Sequence, residues 1–87
     1  MKKYKLIGVL WNDHVTRVAQ EIPDDPDSVV ELPTLTVGIL LRETKSRILI
    51  AHDVELGTNT GTYTMIYKNA VLTRKIYGKI ELELGGD

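Results

Sequence analysis

Two histidines each stand next to an aspartate, in the pairs Asp13–His14 and His52–Asp53. Imidazole and carboxylate groups are ligands for divalent metals, and a His–Asp pair can tune a general base. Neighbouring residues of a strand point to opposite faces of a sheet, so each pair would rarely converge on one ion. We therefore predict that these four residues are surface or capping residues, and that the protein has no metal site and no cofactor.

Motifs for nucleophilic catalysis and phosphate cradling are missing from the chain. The serines are Ser28, in an acidic segment, and Ser46, between two apolar runs, and neither lies in a Gly-x-Ser-x-Gly elbow. The absence of cysteine removes disulfides, thiolate metal sites and a cysteine nucleophile. Gly57, Gly61 and Gly78 are too scattered for a phosphate-binding loop. The sequence thus predicts a protein that is not an enzyme.

The composition is that of an ordinary globular domain. The chain has 87 residues, of which 43% are apolar and 26% charged, so we predict one folded domain covering residues 1–87. No apolar run approaches the roughly 20 residues that cross a bilayer. No small-residue cleavage site follows the apolar part of residues 1–11. The expected location is the cytoplasm.

Alternating apolar residues, separated by turn signals, predict five strands. The first covers Tyr4–Trp11, the second begins at Thr34, and the others cover Arg47–Val54, Thr62–Tyr67 and Val71–Leu84. Short strands with turns about every ten residues are typical of a small barrel or sandwich. A barrel is favoured because closure removes most exposed strand edges. The predicted fold class is therefore all-β, a five-stranded small barrel.

The segment between the first two strands has helix and loop signals. Asn12 or Asp13 can cap a short helix that Pro23 would stop. Apolar residues recur at helical spacing between them: Val15, Val18, Ala19 and Ile22. A strand is the alternative for the same residues. Residues 23–28 carry three acids, two prolines and a serine, and predict a surface loop.

Trp11 and the acidic loop with Asp24 and Asp25 are the candidates for binding a protein partner. Tryptophan often anchors an interface, although a sole tryptophan at a strand end is also typical of the core of a small domain. The acidic loop can mimic nucleic acid or meet a basic partner, and its alternative is a solvated loop. Both interpretations stay open for each candidate.

Two segments resemble the signature segments of Sm and Sm-like proteins. The first contains Gly38-x-Leu40, a polar turn, Ile48-Leu49-Ile50 and Asp53-x-Glu55, and the second is Met65–Val71. The pattern Trp11-x-Asp13, Thr36–Leu40 and Glu43-Thr44 is also similar to small proteins encoded by bacteriophages and marine metagenomes, some of them Sm-like. The resemblance covers about two thirds of the chain and implies a five-stranded Sm-like or SH3-like barrel, two strands broken by a 3₁₀ turn, a homo-oligomeric ring and possible RNA or DNA binding. In a phage protein, the cytoplasm would be that of the bacterial host.

The resemblance places two turns of the chain on one rim of the barrel. There, Lys45 and Arg47 would lie close to Tyr67 and Lys68. The three cations would contact phosphate, and the tyrosine ring would stack on a base. The alternative is a solvated turn and a packed tyrosine. The chain departs from the Sm pattern, because Glu43-Thr44-Lys45-Ser46-Arg47 replaces the Asp-x-aromatic-Met-Asn turn and Tyr67-Lys68 replaces the Arg-Gly pair.

Two functions follow as expectations. One is an oligomeric Sm-like barrel that binds single-stranded RNA or DNA. The alternative is a non-enzymatic interaction or assembly module of phage origin without nucleic acid. The net charge of −1 favours the alternative, because nucleic-acid binders are usually basic.

Overall fold

The computed structural model describes residues 2–13, 24–25 and 32–84. The strands are β1 Lys2–Asp13, β2 Leu32–Glu43, β3 Arg47–Glu55, β4 Thr60–Tyr67 and β5 Val71–Leu82, and a 3₁₀ turn, Lys68–Ala70, joins β4 to β5. The prediction of an all-β, five-stranded structure is confirmed. The helix predicted after Asn12 falls mainly outside the described residues, and β1 continues through Asp13. In the described part of the chain, no helix is long and apolar enough to cross a membrane.

The five strands form one antiparallel sheet in the order β4-β3-β2-β1-β5. The hydrogen-bonded sheet is open, whereas the sequence analysis predicted a closed barrel. A closed barrel needs a ladder of hydrogen bonds between β4 and β5. The ladders in the described residues join β5 to β1 and β4 to β3, and none joins β4 to β5. Among the residues that the structure describes, no strand pairs with the outer side of either edge strand.

Alternation along the strands divides the apolar residues between two faces. The core lies on one face and consists of β-branched residues from three strands: Ile7, Val9, Ile48, Ile50 and Ile66. Trp11, Leu40 and Val71 pack against it. Tyr4, Ala51 and Leu84 are also buried, and the alternation of β1 and β3 puts the first two on the opposite face. This thin sheet thus buries apolar side chains on both sides.

Four register shifts bend the sheet. Each leaves one residue without a partner in a ladder: Leu41 in β2, His52 in β3, and Leu72 and Tyr77 in β5. Such bulges increase the local twist of a sheet. The twist brings Arg74 of β5 to the end of β2, where it donates a hydrogen bond to Glu43.

Gly38 marks a close crossing of β2 and β3. A Cβ atom at this position would clash with the carbonyl oxygen of Ala51 and lie 2.8 Å from a side-chain carbon of Ile50. Neither neighbour can yield easily, because the first is backbone and the second belongs to a core residue. The absence of a side chain therefore allows the two strands to approach.

Gly38→Ala is expected to lower the free energy of unfolding by about 1–3 kcal/mol, because the added methyl group overpacks the crossing. Urea unfolding followed by circular dichroism, at one protein concentration, measures the change. Gly78→Ala is the matched control, since no heavy atom lies within 4 Å of a Cβ placed there. Its stability should stay within about 0.5 kcal/mol of the parent. Equal effects of the two substitutions would contradict close approach as the reason for glycine at position 38.

Candidate nucleic-acid interface

The turn between β2 and β3 holds Arg47 in place through Thr44. The Thr44 backbone N–H donates to the carbonyl oxygen of Arg47 over 2.9 Å. The Thr44 hydroxyl oxygen accepts the backbone N–H of Arg47 over 3.1 Å and that of Ser46 over 3.4 Å. Side chains of this kind stabilise turns by bonding to nearby backbone. The polar residues between the two apolar runs therefore form a tight turn that starts β3.

A single backbone hydrogen bond joins this turn to the 3₁₀ turn. The N–H of Lys68 donates to the carbonyl oxygen of Ser46 over 2.8 Å. In the adjacent ladder, Arg47 is directly opposite Tyr67. The structure thus brings Arg47, Tyr67 and Lys68 to one end of the sheet, and Lys45 lies exposed in the same turn.

Arg47 and Tyr67 form a cation–π pair at this end. The centre of the guanidinium lies 5.4 Å from the centroid of the Tyr67 ring, and Tyr67 is half exposed. Such contacts are worth about 0.5–1 kcal/mol at exposed sites. The pair presents a positive charge and an aromatic surface together, which is the combination that single-stranded nucleic acid requires.

Lys68 and Arg74 converge on one carboxylate oxygen. Lys68 Nζ lies 2.7 Å from Glu43 Oε2, and Arg74 Nη1 lies 3.2 Å from the same atom. The hydrogen bond from Lys68 is the main cause that lowers the pKa of the Glu43 carboxyl, and Arg74 adds to it, against an opposing effect of burial. The Lys68 charge is therefore partly neutralised by the protein itself.

Glu43 and Arg74 were missed as site residues by sequence reasoning. The two residues are 31 positions apart, and no local pattern indicates that they meet. The only signal was the basic composition of the late segment that contains Lys68, Arg74 and Lys75.

His52 and Asp53 bond to different groups. His52 Nδ1 lies 3.2 Å from the carbonyl oxygen of Val37, and Nε2 lies 2.7 Å from Thr64 Oγ1. A carbonyl can only accept, so Nδ1 donates, and in the neutral ring Nε2 accepts from the hydroxyl. His52 thereby bridges β2 and β4 at the bulge of β3.

Asp53 accepts the backbone N–H of Thr62 over 2.9 Å and its hydroxyl over 3.0 Å. These two bonds, with a smaller effect of the His52 charge, lower the pKa of Asp53. No group of three or more His, Cys, Asp or Glu residues suited to a metal occurs in the described ranges. The side chain of Asp13 and all of His14 lie outside them.

Among the partner candidates, Trp11 lies opposite Val71, the first residue after the 3₁₀ turn. Trp11 packs against the core, and its indole N–H donates to Thr36 Oγ1 over 2.9 Å. Thr36 is itself buried, so the bond satisfies a polar group inside the protein. Asp24 and Asp25 are exposed. The structure thus gives Trp11 a packing role, while the acidic pair stays accessible to solvent.

The two edge strands carry much of the exposed apolar surface. Among the described residues, seven large exposed hydrophobic side chains lie on them, three on β4 and four on β5: Tyr63, Met65, Tyr67, Leu72, Ile76, Tyr77 and Ile80. The sequence of β4, TGTYTMIY, has no charged residue. Edge strands usually carry charges or proline that prevent pairing with another chain, so β4 lacks this protection.

A cavity of about 370 Å³ lies beside β4. Its apolar walls include Leu41, Leu49, Ala51 and Tyr63, and Leu84 closes part of it. Arg42 and Asp53 also line it. A cavity of this size and composition accepts an apolar side chain or a small ligand.

Glu43→Gln is expected to reduce stability by about 1 kcal/mol or less at neutral pH, because the side chains in these ion pairs are partly exposed. The folded-state pKa of Glu43 is lowered from 4.5, so the stabilisation is present above pH 4.5 and is lost as the pH falls through the folded-state value. Urea midpoints from pH 7 to pH 3 should therefore converge for the parent and the variant. Glu55→Gln, at the opposite end of β3, is the control. A constant difference between parent and Glu43→Gln across this range would contradict the interpretation.

No family model, curated protein or solved structure matches this chain.

Proposed function

We propose that this protein is an oligomeric Sm-like protein that binds single-stranded RNA or DNA at the Arg47–Tyr67 end of the sheet. The observation that carries the proposal is the guanidinium of Arg47 over the ring of Tyr67, in a turn that also contains Lys45 and is bonded to Lys68. A base can stack on such a surface while the cations contact phosphates. The 3₁₀ turn between β4 and β5 supports the Sm-like part of the proposal, because the resemblance to Sm proteins implies this break.

Pairing of edge strands supports the oligomeric part. β4 has a free side, exposed apolar residues and no charge. β5 has the other free side and exposed apolar residues of its own. If β4 of one copy pairs with β5 of the next, the contact is head-to-tail and closes into a ring when the rotation per subunit allows it. A ring would repeat the cations of each subunit around one strand of nucleic acid, and each neutralised phosphate would release counterions.

Arg47→Ala is expected to weaken binding of a fluorescein-labelled 15-mer oligouridylate by about tenfold or more, because it removes a phosphate contact and the support of the stacking ring. Fluorescence anisotropy at several salt concentrations measures the affinity and its salt slope. Lys75→Ala is the matched control, since Lys75 lies over the Tyr77 ring at the same 5.4 Å separation but on β5. Equal losses in both variants would place binding elsewhere on the protein. Binding that is independent of salt would contradict phosphate recognition.

Ile76→Lys is expected to shift the mass in solution from a discrete oligomer to the monomer, because it replaces an exposed apolar side chain at the proposed contact with β4 by a charged one. Light scattering behind a sizing column, with absorbance at protein and nucleic-acid wavelengths, measures the mass and any co-purified nucleic acid. Val37→Lys is the control, because Val37 is as exposed as Ile76, at 51%, but lies on β2. A parent protein that is monomeric would contradict the ring.

A protein-assembly module without nucleic acid is the second candidate. It is favoured by the engagement of Lys68 with Glu43 and by the cavity beside β4, which suits an apolar side chain from a partner. A purified oligomer that lacks nucleic acid, fails to bind the labelled oligonucleotide and captures one stoichiometric protein would support this candidate.

A further inference from the structure

The Glu43 carboxylate lies between two cations from distant parts of the chain. Lys68 comes from the 3₁₀ turn and Arg74 from β5, and both contact the same oxygen, Oε2. The three side chains are 34%, 42% and 28% exposed for Lys68, Arg74 and Glu43. An incoming anion can therefore reach the cluster from solvent.

The arrangement of the two cations suits a phosphate oxygen. An ammonium and a guanidinium that converge on one anionic oxygen are the groups with which proteins commonly bind phosphate. The Glu43 oxygen occupies the place that such an oxygen would take. The site also lies at the end of the sheet where Lys68 is bonded to the turn that contains Arg47. Because Glu43 pairs with Ile48, the cluster lies on the opposite face of the sheet from Arg47 and Tyr67. A strand held at Arg47 and Tyr67 would therefore have to pass around this end of the sheet to reach the two cations.

The small strength of a partly exposed ion pair makes an exchange feasible. Pairs of this exposure contribute little to the stability of the folded protein. A phosphate that replaces the carboxylate leaves both cations paired, so only the carboxylate has to return to water. Displacement of Glu43 is therefore compatible with a fold that stays intact.

We propose that Lys68 and Arg74 form a phosphate-binding site for the single strand, and that Glu43 occupies this site in the free protein and competes with the ligand. The proposal rests on the proposed function and deepens it. Arg74 becomes a further binding residue, and Glu43 sets the affinity by internal competition.

The test is a double-mutant cycle with the labelled 15-mer oligouridylate. Glu43→Gln is expected to tighten binding by about three- to tenfold, which corresponds to removal of a competing contact of about 1 kcal/mol. Arg74→Ala should weaken binding, and the gain from Glu43→Gln should shrink in the Arg74→Ala background, where Glu43 competes for Lys68 alone. Glu55→Gln, which removes the same charge elsewhere, should change affinity less than twofold. Melting curves check that each variant is folded.

General removal of negative charge would give a different pattern. In that case the gain from Glu43→Gln would be undiminished in the Arg74→Ala background, and the competition model would be overturned. The model also fails if folded Glu43→Gln binds no more tightly than the parent while the parent binds the oligonucleotide. That result would leave the proposed function standing.

A second measurement separates this inference from the proposed function. If neither the parent nor Glu43→Gln binds the oligonucleotide, titration with pyrophosphate is followed through the side-chain NMR signal of Arg74. A shift in Glu43→Gln at lower pyrophosphate concentrations than in the parent supports the anion site, although nucleic-acid binding has failed. Equal titrations in the two proteins overturn the inference.

Discussion

The position of the Arg47–Tyr67 pair depends on the burial of the neighbouring cross-strand pair, Ile48 with Ile66. Both isoleucines are fully buried and lie directly opposite each other. Because successive side chains alternate between faces, their burial forces Arg47 and Tyr67 to the other face of the sheet. A slip of one residue in this ladder would bury the cation and expose the core. The register of two hydrophobic residues thus determines the chemistry of the candidate interface.

Much of this arrangement could be predicted from local sequence. The strand of residues 47–55 begins at Arg47 as predicted and ends one residue beyond the predicted Val54, because apolar residues and a polar turn mark both limits. The break between β4 and β5 was visible as Lys68-Asn69-Ala70, and the resemblance to Sm proteins implied its 3₁₀ conformation. The limits of these strands and the position of this turn are determined by residues that are adjacent in the sequence. They can therefore be predicted from one sequence without knowledge of the fold.

The contacts that could not be predicted depend on how far the sheet twists. Arg74 on β5 contacts Glu43 at the end of β2 although β1 lies between the two strands, and the register shifts that bend the sheet are not visible in the individual strand sequences. Closure of a barrel likewise depends on strand tilt and stagger, and the open edges of β4 and β5 show that strand count alone does not determine it. The hydrogen bond between Trp11 and Thr36 was equally unpredictable. Which residues of two different strands share a face can be stated only when the register between the strands is known.

The ion pairs at Glu43 and the uncharged edge of β4 both bear on whether a single copy of the protein can bind nucleic acid. A net charge of −1 argues against strong binding of nucleic acid by a single copy, and internal pairing of Lys68 reduces the available charge further. In the proposed assembly, repetition of a weak site would overcome this limitation. A strand of nucleic acid that is bound by one copy is at a high effective concentration for the site on the next copy. In the proposed assembly the same strand serves both needs, because β4 ends in Tyr67 at the candidate interface and its uncharged side would pair with a neighbouring copy. In the proposed function, assembly and ligand binding are therefore linked through β4.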